Sequence, residues 1–343
     1  MILIRIEALS RERERVKRAA IFIHFDDVIS VDNLLRAWRE FLKDKKKRKD
    51  VREFSFNLMD NIILLHHDLK NKNYHHRGYQ SFKINDPKPR DVHKASVRDR
   101  LLHHAIYQVL YPYFDKKFIF DSFSCRKVKG TYRAINRFRE YGRKVSQNNT
   151  RTVWVLKCDI RKFFANINHE ILIGILKKHI ADENTIWLLR EVINSFHSKN
   201  SFGVGLPLGN LTSQILVNIY MNEFDHFVKR ELKIRYYIRY ADDFVVFDAN
   251  KKYLENTLPK IERFLESRLK LSLHPNKVSI CTLASGIDFL GWVNFPNHRV
   301  LRTSTKKRMF KKLENNPSKE SRASYLGILG HGNAYKLERK TTK

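Results

Sequence analysis

Hydrophobic and polar positions alternate along the chain with two different periods. Apolar residues that recur every three to four positions predict helices at 31–70, 97–110, within 168–199 (two helices), 211–231 and 253–271. Short apolar runs bounded by turn residues predict strands at 82–92, 152–160, 234–248 and 277–292. This order predicts an α+β fold, in which an antiparallel sheet is backed by helices.

Proline, glycine and charge runs lie between these elements. Pro87 and Pro89 interrupt 82–92 and predict a strand–turn–strand unit. The Gly/Pro-rich segment 203–210 predicts a loop, and 297–343 is a basic tail with helical stretches. KDKKKRKD at 43–50 is a dense cationic turn, which a solvated loop and a contact to RNA phosphates explain about equally well.

The charge balance indicates the class of partner. The 343 residues include 67 Lys and Arg against 36 Asp and Glu, a formal net charge of +31. Such a chain repels itself unless a polyanion neutralises it, so nucleic acid is the first candidate partner and an anionic membrane surface the second. No apolar run approaches the roughly 20 residues that span a bilayer, and no secretory signal is recognised. A cytoplasmic location is therefore expected, with Cys125, Cys158 and Cys281 as free thiols that bind no zinc.

Candidate chemistry is concentrated in RYADDFVVF at 239–247. Two adjacent aspartates between apolar strand segments are unusual, because a buried charge must be paired. Close carboxylates raise each other's pKa unless a cation lies between them, and Mg²⁺ prefers carboxylate oxygens together with waters and phosphates. An Asp-rich hairpin turn without a metal explains this segment, taken alone, about as well.

Asp159 strengthens the metal-site interpretation, because it ends the apolar strand TVWVLKCD at 152–159. Three carboxylates at the ends of strands can hold two metal ions. Such a site would activate an attacking 3′-hydroxyl and stabilise the departing pyrophosphate.

Five segments resemble the motifs of reverse transcriptases, in that family's order, within residues 30–340. They are KCDIRKFFANINH at 157–169, LPLGNLTSQ at 206–214, YADDFVVF at 240–247, LHPNKV at 273–278 and FLGW at 289–292. The resemblance implies a right-hand polymerase fold with an N-terminal extension (1–30), fingers (31–150), a catalytic palm (151–292) and a short helical thumb (293–343). It implies an RNA-directed DNA polymerase that uses two Mg²⁺ or Mn²⁺ ions and binds a template RNA and the RNA/cDNA duplex.

The resemblance also assigns roles to single residues. Asp159, Asp242 and Asp243 would bind metal with the backbone carbonyl of Ile160, and Lys277 would protonate the pyrophosphate. Contacts to the incoming dNTP are implied for Arg90, Phe163, Phe164, Leu208, Gly209, Gln214 and either Lys83 or Lys88. Arg90 offers a bidentate fork to the triphosphate, and the ring of Phe164 would exclude a 2′-hydroxyl. Without the resemblance, Phe164 would be a core aromatic and the cations an RNA-facing surface.

A finer pattern is similar to that of the reverse transcriptases of diversity-generating retroelements, among the group II intron-like bacterial enzymes. The shared segments are Leu208-Gly209 to Ser213-Gln214, DPKPRDV at 86–92, VRDRLLHHAI at 97–106, DSFSCRKVKGTYRAINR at 121–137 and SYLGILGHGNAYKL at 324–337. This similarity implies a bacterial or phage-encoded enzyme that is error-prone at adenines and acts with a basic accessory variability protein. Ala241 departs from the family, which most often has Met there. The alternatives are an antiphage-defence reverse transcriptase of an unassigned bacterial group and a non-catalytic RNA-binding scaffold.

Overall fold

The computed structural model describes residues 23–85, 89–199, 201–315 and 318–342, which group into two compact units that alternate along the chain. Unit 1 is the described part of Met1–Phe118 together with Lys162–Asp225 and Leu265–Leu271. Unit 2 is Ile119–Arg161, His226–Phe264 and the described part of Ser272–Lys343. Most of the predicted extension 1–30 lies outside the described residues, and the predicted boundaries at 150 and 292 stay predictions.

The predicted helices and strands occur in the predicted order. Among the described residues, helices α1 to α13 are Phe25–Ile29, Val31–Phe41, Lys49–Phe56, Leu58–Lys70, Val97–Asp115, Thr131–Val145, His169–Lys177, Glu183–Asn194, Leu211–His226, Lys251–Leu269, Thr303–Asn315, Lys319–Leu329 and Tyr335–Thr342. Strands β1 to β9 are Gln80–Ile84, Arg90–Lys94, Trp154–Asp159, Tyr237–Tyr240, Asp243–Asp248, Ser279–Thr282, Ile287–Phe289, Trp292–Asn294 and Arg299–Leu301. Single 3₁₀ turns lie at Phe163–Asn166, Pro275–Lys277 and Leu283–Ser285. The structure adds α6, β8 and β9, which were not predicted.

Unit 1 is mainly helical, and its core is formed by the apolar faces of α2 and α5. Trp38 and Phe41 of α2 are buried with Leu101 and Leu102 of α5, because residues three to four apart share one helix face. The predicted helical region 31–70 is divided into α2, α3 and α4. It breaks within the cationic segment 43–50, where Asp44 has a φ of +59°.

Unit 2 contains the antiparallel sheet that the sequence predicts. Its strands lie in the order β4-β5-β3-β6, and a second sheet has the order β7-β8-β9. Phe138 of α6 stacks on Phe289 of β7 and meets Phe247 of β5 edge-on. Helix α6 was not predicted, although its sequence carries the helical period in Ala134, Ile135, Phe138 and Tyr141.

A membrane span is not found in the part of the chain that the structure describes. No helix there is long enough and apolar enough to cross a bilayer.

Candidate active site

The register of the central sheet brings two of the three predicted carboxylates side by side in unit 2. Asp159 is the last residue of β3, and it is the register partner of Asp243, the first residue of β5. Opposite residues of antiparallel strands project from the same face, so both carboxylates lie on one face at one end of the sheet. Asp242 belongs to the adjoining turn, and its carbonyl accepts a hydrogen bond from the Ile160 N–H at 3.1 Å.

Lys277 is brought to the same place by the segment that precedes β6. Its Nζ lies 2.8 Å from Oδ2 of Asp159, and the backbone N–H of His274 donates to the Asp159 carbonyl at 2.7 Å. The sequence-predicted Asp159, Asp242, Asp243 and Lys277 thus share one end of the sheet. An ammonium group already forms an ion pair with one carboxylate of this set.

The electrostatics of the set favour a cation. Burial, and then the neighbouring Asp242 carboxylate, raise the pKa of Asp243 to about 6, against the opposing effect of Lys157. A raised pKa in a carboxylate pair means that the two negative charges are incompletely compensated, and a bound cation relieves this repulsion.

The donor set fits the divalent ion that the resemblance implies. Among the described residues, no group of three or more His, Cys, Asp or Glu side chains is placed to hold a metal ion by itself. Mg²⁺ needs only one or two carboxylates when substrate phosphates and waters complete its octahedron. The carbonyl oxygen of Ile160, whose N–H is bonded to Asp242, accepts no hydrogen bond from the described residues. The residues that would hold metal are therefore Asp159, Asp242, Asp243 and the Ile160 carbonyl.

The turn that carries Asp242 is tight and strained. Tyr240 pairs with Asp243, so that only Ala241 and Asp242 connect β4 to β5. Ala241 has a φ of +55°, in the left-handed region that residues with a Cβ rarely occupy. A two-residue hairpin loop requires positive φ at its first position in either of its favoured forms. Backbone strain of this kind persists only where the surroundings enforce it.

Arg239 holds the strained turn at Ala241, and it was not among the site residues predicted from the sequence. Its side chain is fully buried in unit 2, and Nη1 donates to the Ala241 carbonyl at 3.1 Å. Nη2 donates to Oγ of Ser122 at 3.1 Å. An arginine within an otherwise apolar strand gave the signal, because a buried guanidinium must be bonded.

The segment around Ser122 holds Arg239 in turn. The Arg239 N–H donates to the Asp121 carbonyl at 3.0 Å, and the Phe123 N–H donates to the Arg239 carbonyl at 3.0 Å. The buried Asp121 carboxylate is itself bound by Arg137 at 2.8 Å and by the Tyr141 hydroxyl at 2.7 Å. The segment DSF at 121–123 therefore pairs with β4 through Ser122 and Arg239 and fixes the turn that carries Asp242.

Most of the sequence-predicted nucleotide contacts lie in unit 1, where the 206–214 loop is bonded to β2. The His93 N–H donates to the Leu208 carbonyl at 3.0 Å, and the Asn210 side chain donates to the His93 carbonyl at 3.3 Å. Between them Gly209 has a φ of +103°, and a Cβ there would lie 2.8 Å from Cγ1 of Val92. Only glycine fits this close approach. Gln214 is half-buried in the first turn of α9.

The predicted steric-gate segment is bonded to the same loop. Phe163 is buried and Phe164 half-buried in the 3₁₀ turn Phe163–Asn166, and the Phe164 carbonyl accepts from the Leu206 N–H at 2.8 Å. Nε2 of the buried His169 lies 2.7 Å from the Gly205 carbonyl. Since a carbonyl can only accept, this nitrogen carries a proton, and the ring also holds the loop.

The hairpin register distinguishes the two described basic candidates for the triphosphate. Arg90 pairs with Ile84, whereas Lys83 pairs with Asp91, one position further along the ladder. Because side chains alternate between faces, Arg90 and Lys83 project from opposite faces of the hairpin. Lys88, the other candidate, lies outside the described residues.

Comparison with known proteins agrees with this geometry. Residues 83–294 match the family described as reverse transcriptase (RNA-dependent DNA polymerase). This span covers more than half of the chain and contains all the predicted site residues. The chain belongs to the reverse transcriptase family. Its sheet and helices form the right-hand polymerase fold of that family, as the resemblance implied.

The relatives of this reverse transcriptase include group II intron-encoded proteins. Protein YkfC of Escherichia coli is 26% identical over 60% of this chain and 62% of its own length. The group II intron-encoded protein LtrA of Lactococcus lactis is 23% identical over 66% of this chain and 47% of its own. The chain thus spans less than two thirds of either protein. A structure of telomerase from Candida tropicalis is similar in fold, with 12% identity and a TM-score of 0.51 over 70% of this chain and 48% of that one.

Proposed function

We propose that the chain is an RNA-directed DNA polymerase that copies a template RNA into cDNA. The observation that carries the proposal is the pairing of Asp159 with Asp243 at one end of the sheet, with Asp242 in the adjoining turn and Lys277 on Asp159. This arrangement lies inside the span that matches the reverse transcriptase family. A non-catalytic RNA-binding scaffold would have no reason to keep three carboxylates against their mutual repulsion.

The chain's own residues suggest how the site would work. Asp159, Asp242, Asp243 and the Ile160 carbonyl would hold two divalent ions, Mg²⁺ or Mn²⁺, which when bound supply positive charge for nucleotidyl transfer. Lys277 Nζ lies within reach of this centre and carries a proton that it can donate to the leaving pyrophosphate. Arg239 holds the Ala241 carbonyl and so fixes the backbone of the turn that carries Asp242.

Primer extension on a defined RNA template tests the proposal. Asp242→Asn should abolish extension, because an amide is a poor ligand for a hard divalent ion. Asp248→Asn is the matched control, since Asp248 is the last residue of β5, the strand that follows Asp242, and lies at the opposite end of the sheet. Equal extension by wild type and Asp242→Asn, or extension that continues in EDTA, would leave the RNA-binding scaffold as the better interpretation.

The dNTP would be bound by residues of unit 1. Phe164, Leu208, Gly209 and Gln214 belong to one backbone-linked assembly, which is bonded through His93 to the strand that carries Arg90. Arg90 would bind the triphosphate. Of the two lysines that could assist it, Lys88 is the better candidate, because Lys83 projects from the opposite face of the hairpin. Phe163 would support the Phe164 ring that excludes a 2′-hydroxyl. A comparison of dNTP and rNTP incorporation by Phe164→Val tests this, and the selectivity for dNTP should fall in the variant.

Within this activity, we infer error-prone synthesis of the diversity-generating type. Its support is Leu208, which cannot donate a hydrogen bond to the nascent pair as a glutamine could. Leu208→Gln should lower adenine misincorporation on a defined template, measured as the ratio of correct to incorrect steady-state insertion. Unchanged misincorporation would be evidence against this role for Leu208.

The identity of the RNA that the chain copies distinguishes two biological roles. A diversifying enzyme would copy a template RNA into an RNA/cDNA duplex with the help of a basic accessory variability protein. The alternative, a reverse transcriptase that acts in antiphage defence, would make cDNA from another RNA. Sequencing of the RNA that co-purifies with the chain, and of the cDNA made from it, separates the two roles.

A further inference from the structure

A polar cavity lies in unit 2, apart from the carboxylate site. Its volume is about 320 Å³, and its walls come from α6, the segment 294–299 and the segment 330–333. The polar lining residues include Asn136, Arg139, His298, Arg299, His331 and Asn333. No Asp or Glu is among the residues that line it, so the cavity is cationic.

Arg299 has an unsatisfied donor at this cavity. Its Nη2 donates to Oδ1 of Asn136 at 2.7 Å, while Nη1 is buried and bonds to no described residue. Buried donors without a partner are rare, because each costs the desolvation of the group. Arg139 lines the same cavity, and its exposed side chain forms neither a hydrogen bond nor an ion pair with a described residue. Burial, and then the charge of Arg139, lower the pKa of Arg299.

The wall that faces Arg299 is built by a sequence motif that contributes no residue to the carboxylate site. Within SYLGILGHGNAYKL, the Asn333 N–H donates to the Arg299 carbonyl at 2.9 Å, and Asn333 Oδ1 accepts from the Arg299 N–H at 3.3 Å. A Cβ on Gly332 would lie 2.0 Å from the Trp292 ring, so only glycine fits there. The motif therefore fixes the backbone of Arg299 at the cavity.

We propose that this cavity binds the phosphate of a nucleotide. Two guanidinium groups without a carboxylate partner match the planar, bidentate geometry of phosphate oxygens. The volume lies at the lower end of the range for small-ligand pockets and corresponds to about one nucleotide. Asn136 and the stacked rings of Phe295 and His298 also line the cavity, and they offer an amide edge and aromatic surface to a base. None of these residues belongs to the carboxylate site, so the inference goes beyond the proposed function.

Isothermal titration in EDTA tests the proposal, because chelation of divalent ions suppresses nucleotide binding at the carboxylates. The two probes are adenosine monophosphate and a ten-nucleotide single-stranded RNA, titrated into the full chain. Arg139→Gln should weaken binding at least about tenfold, the loss expected for a charge-assisted hydrogen bond to phosphate. Arg133→Gln is the matched control on the same helix, exposed and absent from the cavity lining, and it should change the affinity less than about twofold.

A second variant separates the cavity from general surface charge. Asn333→Ala leaves the net charge unchanged but removes the side-chain bond to the Arg299 backbone, and it should weaken the same probe. Binding of both probes would identify any nucleotide phosphate as the ligand, and binding of RNA alone would identify the phosphate of a strand. The proposal is overturned if neither probe binds, or if Arg139→Gln and Arg133→Gln bind equally well. The Asp242→Asn variant should bind the probes normally, so failure here is distinguishable from failure of the polymerase proposal.

Discussion

Units 1 and 2 each contain a tight turn with positive φ that carries predicted active-site residues, and the two turns are held in different ways. In unit 2, Ala241 has a φ of +55° and precedes Asp242; in unit 1, Gly209 has a φ of +103° and lies between Leu208 and Asn210. The turn that carries Asp242 has a residue with a Cβ at its positive-φ position, whereas the turn in the 206–214 loop has glycine there.

The difference lies in what each turn contacts. A buried side chain, Arg239, donates to the Ala241 carbonyl, and the Ile160 N–H donates to the Asp242 carbonyl, so this turn is fixed through its backbone oxygens. The 206–214 loop is fixed by direct backbone contact with β2, and Val92 would lie 2.8 Å from a Cβ at Gly209. A turn held by hydrogen bonds to its carbonyl oxygens can keep a residue with a Cβ in a strained conformation, while a turn packed closely against a neighbouring strand requires glycine.

The largest effect is expected at Arg239, because its side chain holds the turn at Ala241. Arg239→Lys keeps the charge but loses the fork that joins the Ala241 carbonyl to Ser122. We expect a loss of about 2–3 kcal/mol in the free energy of unfolding. A turn displaced by about 1 Å should lower kcat by about a hundredfold. Urea denaturation and primer extension measure the two effects.

The control for this variant is Arg235→Lys, which changes an exposed arginine that precedes the same strand. It should behave like the wild type in both measurements. If Arg239→Lys did so too, the strained turn would owe its geometry to the sheet alone.

The next largest effect is expected at Gly209. Gly209→Ala should cost about 1–3 kcal/mol of stability, because both φ and the contact with Val92 oppose a Cβ. It should also raise KM for dNTP in primer extension. Gly203→Ala is the matched control, since Gly203 also has a positive φ of +72° but has no atom within 4 Å of its Cβ position.

A double variant sharpens this test. Val92→Ala should recover part of the loss caused by Gly209→Ala, because it removes the obstructing methyl group. If the double variant is no better than Gly209→Ala, strain in φ alone accounts for the effect, and the close approach does not decide the residue type.

The hairpin next to this loop gives a further prediction. Arg90→Ala should raise KM for dNTP about tenfold or more, which is the loss of a charge-assisted bond to the triphosphate. Lys83→Ala should change KM less than about threefold, because Lys83 projects from the opposite face and pairs in register with Asp91. Similar effects of the two substitutions in steady-state kinetics would contradict the separation of the faces.

The smallest effect is expected at Ala241. Ala241→Gly should stabilise the fold by up to about 1 kcal/mol, because glycine adopts positive φ without strain. Ala241→Val should destabilise it, since a β-branched residue tolerates this region least. Thermal unfolding measures both shifts. A loss of stability in Ala241→Gly would show that the Cβ makes a contact worth more than the strain.

Much of this architecture is predictable from local patterns. The strand ends at Asp159 and Asp243 and the loop at 203–210 follow from periodicity and glycine placement, and the structure confirms these elements. Arg239 was not predicted because its neighbours form an apolar strand. Helix α6 was not predicted because cations separate its apolar residues in the sequence, although these residues share one helix face. The choice between Lys83 and Lys88 could not be made, since the face on which a residue lies depends on a register that a one-residue shift would invert.

The sequence by itself determined the order and type of most elements, the position of the carboxylates at strand ends, and the net positive charge. These depend on local periodicity and on residue chemistry, which act within a few positions. The tertiary structure alone decided that Ser122 binds Arg239, 117 positions away, and that Asn136 binds Arg299, 163 positions away. Such partners are set by the packing of distant segments, which must satisfy every buried polar group at once and leaves no local period in the chain.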